Sequence, residues 1–144
     1  MTQRLAACAC GRLQLRCQGE PRRVSMCHCV DCQRRTGSPF SIAAFFDRSA
    51  VNVVDGTSKT FSRNSLAGRK VTFHFCPECG STVFWEPELT PQRIGVAVGA
   101  FADPSFPPPE QSVFTSYKHT WLDLPGEVRA FAAMPPTPGD ASGS

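Results

Sequence analysis

Cysteine placement constrains this chain more than any other feature. Eight cysteines stand among its 144 residues, and all but Cys17 fall into three tight groups. Cys27-His28-Cys29-Val30-Asp31-Cys32 packs three thiols into six residues. Cys8-Ala9-Cys10 lies near the start and Cys76-Pro77-Glu78-Cys79 past the middle, each followed by a glycine, Gly11 and Gly80. The central triad is too dense for ordinary core packing and too short for a set of disulfides. It is also one ligand short of a closed tetrahedral zinc site, whereas the two outer pairs together supply four.

The compartment decides between metal and disulfides. Met1 to Cys10 has no apolar signal-peptide core, so the expected address is the cytoplasm, where thiols stay reduced and clustered cysteines hold metal. The rival is a secreted, disulfide-bonded protein. Hydrophobic residues make up 41% and charged residues 19%, a composition that buries a core and is not that of a disordered chain. A net charge of +3 without a run of like charges or a basic-aromatic stripe argues against a nucleic-acid partner. No apolar run approaches the roughly 18 residues of a membrane helix. The length suits one domain over residues 1–134, with the Pro, Gly and Ser-rich stretch 135–144 as a disordered tail. Oligomeric state is not legible.

Strand signals outnumber helix signals. Arg12 to Cys17 alternates polar and apolar, with Leu13, Leu15 and Cys17 on the inner side, so Cys17 reads as a small buried hydrophobe. Phe40–Phe46, Val51–Val53, Thr60–Ser62, Ile94–Val98, Val113–His119 and Val128–Phe131 read as further strands. Val71-Thr72-Phe73-His74-Phe75 runs straight into Cys76, and Ser81 to Trp85 returns, which makes Cys-x-x-Cys-Gly a knuckle on a hairpin. Gln33 to Thr36 can form a helical turn, stopped by Gly37-Ser38-Pro39, and Pro104–Pro109 is a loop. The expected fold is mainly β: a single zinc-stapled domain of short antiparallel strands, as a sandwich or an irregular barrel-like sheet.

Cys8, Cys10, Cys76 and Cys79 offer four soft ligands, which suits zinc. Closing a loop of roughly 65 residues costs about 4 kcal/mol, and structural zinc contributes roughly 10–16 kcal/mol in small peptides. A staple between distant cysteines is therefore favourable. Buried free thiols and an iron–sulfur cluster are the alternatives. Cys27, Cys29 and Cys32 leave a fourth position open, the design of a catalytic zinc. Three thiolates make that zinc a modest Lewis acid, better suited to sulfur chemistry than to water activation. The competing readings are His28 as a fourth ligand, a second structural zinc closed by Cys17 or His74, and a Cys29–Cys32 redox pair.

Together, Cys8-x-Cys10-Gly11, Cys27-His28-Cys29-x-x-Cys32, Gly37-Ser38-Pro39-Phe40, Cys76-x-x-Cys79-Gly80 and Trp121 after Lys118 resemble the glutathione-dependent formaldehyde-activating enzyme family, which also contains the centromere protein V type members. The resemblance runs from Ala7 to Pro135. It implies a β-tent-like fold and two zinc ions per chain, a structural one on Cys8, Cys10, Cys76 and Cys79 and a catalytic one on Cys27, Cys29 and Cys32. It implies an S-(hydroxymethyl)glutathione synthase-like carbon–sulfur lyase that joins formaldehyde to the thiol of glutathione. Arg34, Arg35 and Lys118, with Phe40 beside them, are then the candidate contacts to a glutathione-like substrate; solvated surface charge is the other reading of the three cations. A non-catalytic zinc-stabilised binding module and a thiol redox protein are the rival functions.

Overall fold

The alternating segments become strands of two sheets in the computed structural model, which describes residues 2–66 and 68–135. In chain order the strands are β1 (Gln3–Ala7), β2 (Gln14–Gln18), β3 (Arg23–Cys27), β4 (Ser41–Asp47), β5 (Val51–Asp55), β6 (Lys59–Asn64), β7 (Lys70–Phe75), β8 (Thr82–Pro87), β9 (Arg93–Ala97), β10 (Gln111–Val113) and β11 (Arg129–Ala130). One α-helix, α1 (Val30–Thr36), follows the triad's second cysteine. The small sheet has the order β1-β2-β5 and the large one β11-β10-β3-β4-β9-β8-β7-β6.

Side-chain alternation explains the layering. In β2, Leu15 and Cys17 are buried while Arg16 and Gln18 are exposed. The inner residues Ala6, Leu15 and Cys17 of the small sheet join Val24, Ala44, Phe46, Phe84 and Val96 of the large one in a single core. The alternate residues of the same central strands face the other way. There Ala43, Phe45, Val71, Phe73 and Trp85 form a second cluster. Strand β4, between β3 and β9, is therefore buried on both faces and reads as a near-continuous apolar run.

Gly95 belongs to this second face, directly opposite Trp85 in the β8–β9 ladder. A Cβ at Gly95 would lie 2.7 Å from Trp85 Cε2 and 2.8 Å from Cδ1. The indole is fully buried, packed on Phe73 and under Arg35. Gly95→Ala is thus expected to destabilise the fold by about 1–3 kcal/mol, the usual cost of overpacking, read as a lowered urea midpoint.

Several expectations need correction. The strands are not all antiparallel: β10 runs parallel to both β3 and β11, because the long connection after β9 brings the chain back in the direction it left. The large sheet is not closed into a barrel; β11 and β6 are its two ends. The strand expected over Val113–His119 stops at Val113, since Phe114 turns left-handed at φ +54° and a 3-10 turn follows at Thr115–Tyr117. Val24-Ser25-Met26, just before the triad, is the middle of a strand, β3, beyond those expected. Of the tail at 135–144, residues 136–144 lie outside the described residues. Among the described residues no helix is long and apolar enough to cross a membrane.

Candidate metal centres

The four outer cysteines meet. Their sulfurs all lie within 4.8 Å of one another, with Cys8 Sγ 3.6 Å from Cys10 Sγ and Cys10 Sγ 3.7 Å from Cys76 Sγ. A tetrahedron of sulfurs around zinc, with bonds near 2.3 Å, has edges of about 3.8 Å. The donor set and its spacing fit a zinc ion. Local backbone chemistry builds the two arms. The Cys8 N–H donates to Leu13 O at 3.0 Å and the Leu13 N–H donates to Cys8 Sγ at 3.2 Å. In the β7–β8 hairpin the Gly80 N–H donates to Cys76 O at 2.8 Å, with Gly80 at φ +79°, a conformation that only glycine adopts freely. Ser81 ties the arms: its Oγ accepts from the Ala9 N–H at 3.2 Å and lies 3.3 Å from Cys79 Sγ. That hydroxyl, helped by backbone amides, pulls the Cys79 thiol down to about 5, which favours the thiolate a metal needs.

The inner triad also meets. Cys27, Cys29 and Cys32 place their sulfurs within 4.8 Å of one another, and all three side chains are buried. The sequence folds this way because α1 starts inside the motif. Cys29 is the N-cap, and its Sγ accepts from the Cys32 N–H at 3.3 Å. Asp31 in the first turn and Arg34 and Arg35 in the last suit the helix dipole. Gly37, left-handed at φ +67°, ends the helix by donating to Gln33 O at 2.8 Å. Around the triad pack Val113 and Phe114, with Phe131 and Met134 partly covering it. The Cys32 thiol is held down at about 2 by its hydrogen bonds from Cys27 and Cys29, with the Ser41 hydroxyl and the Arg35 charge adding to them. The Cys27 thiol is pushed up, first by its bond to Cys29. One sulfur thus holds negative charge while its neighbours share protons, an arrangement that a cation would replace.

The residues that might have closed the triad sit elsewhere. Cys17 is in the main core, where burial pushes its thiol up to about 12. His74 is committed to other partners, Ser58 Oγ at 2.8 Å and Glu86 Oε2 at 2.7 Å. His28 is fully buried, not at the surface, and its Nε2 pairs with Ser112 Oγ at 2.7 Å. Its ring is not part of the group of converging sulfurs.

The four candidate substrate contacts part company. Arg34 is exposed on the outer side of α1. Lys118 donates to the carbonyls of Leu122 at 2.6 Å and His119 at 3.3 Å. Phe40 lies 6.0 Å from the His28 ring and lines a cleft beside the triad. Arg35 is the residue at the triad itself. Its guanidinium lies over the neighbouring rings of Phe73 and Trp85, 4.8 and 4.7 Å from their centroids. Burial opposes its charge and the Cys32 sulfur supports it. Two residues without a signal in the local sequence complete the setting. Gln33 ties α1 to the loop after β10, donating to His28 O and Tyr117 O and accepting from His119 Nε2. Arg63 reaches from β6 to Asp31 of the helix at 3.5 Å and stacks on Phe73.

A divalent cation on three thiolates leaves one negative charge, and Arg35 is placed to offset it. Arg35→Met is therefore expected to weaken metal binding at the triad roughly 10–100-fold, as loss of outer-shell support does at other metal sites. Chelator competition would show this, with the four-cysteine site unchanged and Arg35→Lys in between.

The comparisons with known proteins agree with this geometry. The family model for glutathione-dependent formaldehyde-activating enzymes matches residues 3–117, a span that contains both cysteine clusters. No curated protein matches the chain. Among solved structures, the crystal structure of a Rhodobacter sphaeroides protein, a structural-genomics target, is similar at a TM-score of 0.52 and 23% identity, covering 72% of this chain and 91% of that one. At that identity the likeness is one of fold. With a match over most of its length, the chain belongs to the glutathione-dependent formaldehyde-activating enzyme family.

Proposed function

We propose that the chain is a zinc-dependent carbon–sulfur lyase-like enzyme acting on a thiol–aldehyde adduct, with S-(hydroxymethyl)glutathione as the family's reference substrate. The observation that carries the reading is the buried convergence of Cys27, Cys29 and Cys32 without a fourth His, Cys, Asp or Glu in the group among the described residues. Zinc bound there would supply a Lewis acid that favours a thiolate and polarises a carbonyl. The chain's own residues do the rest. The thiolates of the triad supply the ligands and Arg35 offsets their excess charge. Phe114, Phe131 and Met134 shield the centre from water, which strengthens every electrostatic interaction inside it. A cleft of about 740 Å³ that includes Arg35, Thr36, Ser81 and Thr82 would receive the polar body of the thiol. Cys8, Cys10, Cys76 and Cys79 would hold a structural zinc. The reducing cytoplasm is the compartment that keeps all eight thiols available.

Exchange NMR of glutathione with formaldehyde tests this. The zinc-loaded chain should raise the rate of adduct formation and breakdown above the uncatalysed background. Background rates with two zincs bound would remove glutathione and formaldehyde as the substrate pair and leave only the zinc chemistry, and an oxidisable Cys29–Cys32 pair with one zinc bound would favour the redox alternative.

A further inference from the structure

A second cleft, of about 390 Å³, opens where α1 ends and β4 begins. Phe40, Ile42, Trp85 and Val98 give it apolar walls. Its polar side chains are Arg35, Thr36 and Ser41, and no carboxylate lines it. It shares Arg35, Thr36, Ala97 and Gly99 with the larger, more polar cleft, so the two adjoin. It also reaches the triad. Ser41 stands opposite Cys27 in the β3–β4 ladder, and residues paired across a ladder point to the same face. The Ser41 hydroxyl lies beside the Cys32 sulfur, yet it is buried and aligned on no hydrogen-bond partner. Such a group costs about 1–3 kcal/mol if nothing ever fills the gap.

Neither reference substrate explains this cleft. Formaldehyde has no side chain to occupy it. The carboxylates of glutathione can reach Arg35 where the two clefts adjoin, but its charged groups have nothing to match the apolar walls of Phe40, Ile42, Trp85 and Val98. We infer that the cleft holds the hydrocarbon side chain of the carbonyl partner, so that the chain acts on aldehydes with a medium-length alkyl or aryl substituent, their oxygen on Ser41 Oγ. This rests on the proposed thiol–aldehyde chemistry at the triad. In the step, the thiol sulfur forms a bond to the carbonyl carbon, the C=O π bond opens, and the thiol proton ends on the oxygen. Nothing is oxidised or reduced. Ser41 donates to the oxygen as negative charge develops there. The apolar walls bind the side chain in the aldehyde and the adduct alike.

Gly99 supplies the test. It lines the cleft, it is exposed, and a Cβ there meets nothing within 4 Å. Gly99→Leu therefore narrows the cleft without crowding the fold. The zinc-loaded full chain is assayed by exchange NMR with glutathione and either hexanal or formaldehyde. In parallel, n-hexanol, which cannot form the adduct, is titrated against Trp85 emission in a Trp121→Phe background. The inference expects faster exchange with hexanal than with formaldehyde and a saturable shift of Trp85 emission with n-hexanol. It expects Gly99→Leu to lose both, with the ratio of hexanal to formaldehyde rates falling roughly tenfold; because Gly99 lines the thiol cleft too, the ratio and not either rate alone is the readout. Ser41→Ala should slow both aldehydes. Equal rates for the two aldehydes, untouched by Gly99→Leu, or no n-hexanol binding, overturn the cleft assignment and leave the triad chemistry standing. Background rates with both aldehydes overturn the triad chemistry, and with it this inference, even where n-hexanol binds.

Discussion

Cys76→Ser is expected to lose one metal ion per chain and most of its stability. Cys76 is fully buried, and its sulfur lies 3.7 Å from that of Cys10, a residue 66 positions away. With a metal in place, the four-cysteine cluster pins the end of the β7–β8 hairpin to the turn between β1 and β2. Without it, the shared core of the two sheets must repay the roughly 4 kcal/mol of loop closure alone, and the remaining buried thiols lose their partner. A domain of this size has about 5–15 kcal/mol in total. The variant should unfold at a far lower urea concentration than the wild type, and much of it should be unfolded at growth temperature. Cys17→Ser is the control. It buries a hydroxyl in an apolar core for about 1–3 kcal/mol but keeps both metals, because the Cys17 thiol belongs to the core and to no cluster.

Cys29→Ser should do the reverse: keep the fold, lose the metal of the triad, and bring adduct exchange to background. The role of Cys29 as N-cap makes this variant a clean one. Its sulfur accepts from the Cys32 N–H, and serine is a good N-cap, whereas Cys29→Ala would give up the cap at about 1 kcal/mol. A serine hydroxyl is a poor ligand for a soft, thiolate-rich site, so the metal leaves while α1 still starts in place. Circular dichroism would show an unchanged spectrum and metal analysis one ion fewer. If Cys29→Ser fails to fold, the triad is structural and the catalytic reading falls.

Much of this was legible in the sequence because the ligands are local. Cys27, Cys29 and Cys32 are brought together by a single turn of helix, and Cys76 and Cys79 by a single hairpin tip, so spacing alone reports their meeting. The pairing of Cys8 and Cys10 with Cys76 and Cys79 follows from counting to four. What surrounds the triad was less visible, because it arrives from distant strands. Ser41 shares a ladder rung with Cys27, and Arg63 and Trp85 come from β6 and β8; no local pattern marks any of them as neighbours of α1. Arg34 and Arg35 look alike as a dipeptide, yet the roughly 100° between successive helical residues sends the first to solvent and the second over two aromatic rings. The surroundings of His28 were hidden for a similar reason. Its neighbours in sequence are candidate ligands, while its partner Ser112 lies on β10, a strand whose parallel docking on β3 cannot be read from alternation. The segment after Val113 reads as strand by composition, and the left-handed turn at Phe114 overrides it.

Native mass spectrometry of the intact chain, calibrated by zinc analysis, tests the central claim most directly. The account predicts two zinc ions on the wild-type chain, one of them removed first by chelator, and a single, tightly held zinc on Cys29→Ser. A wild-type chain that carries one zinc and shows the two-proton mass loss of a Cys29–Cys32 disulfide, or a Cys29→Ser chain that still binds two, would contradict it.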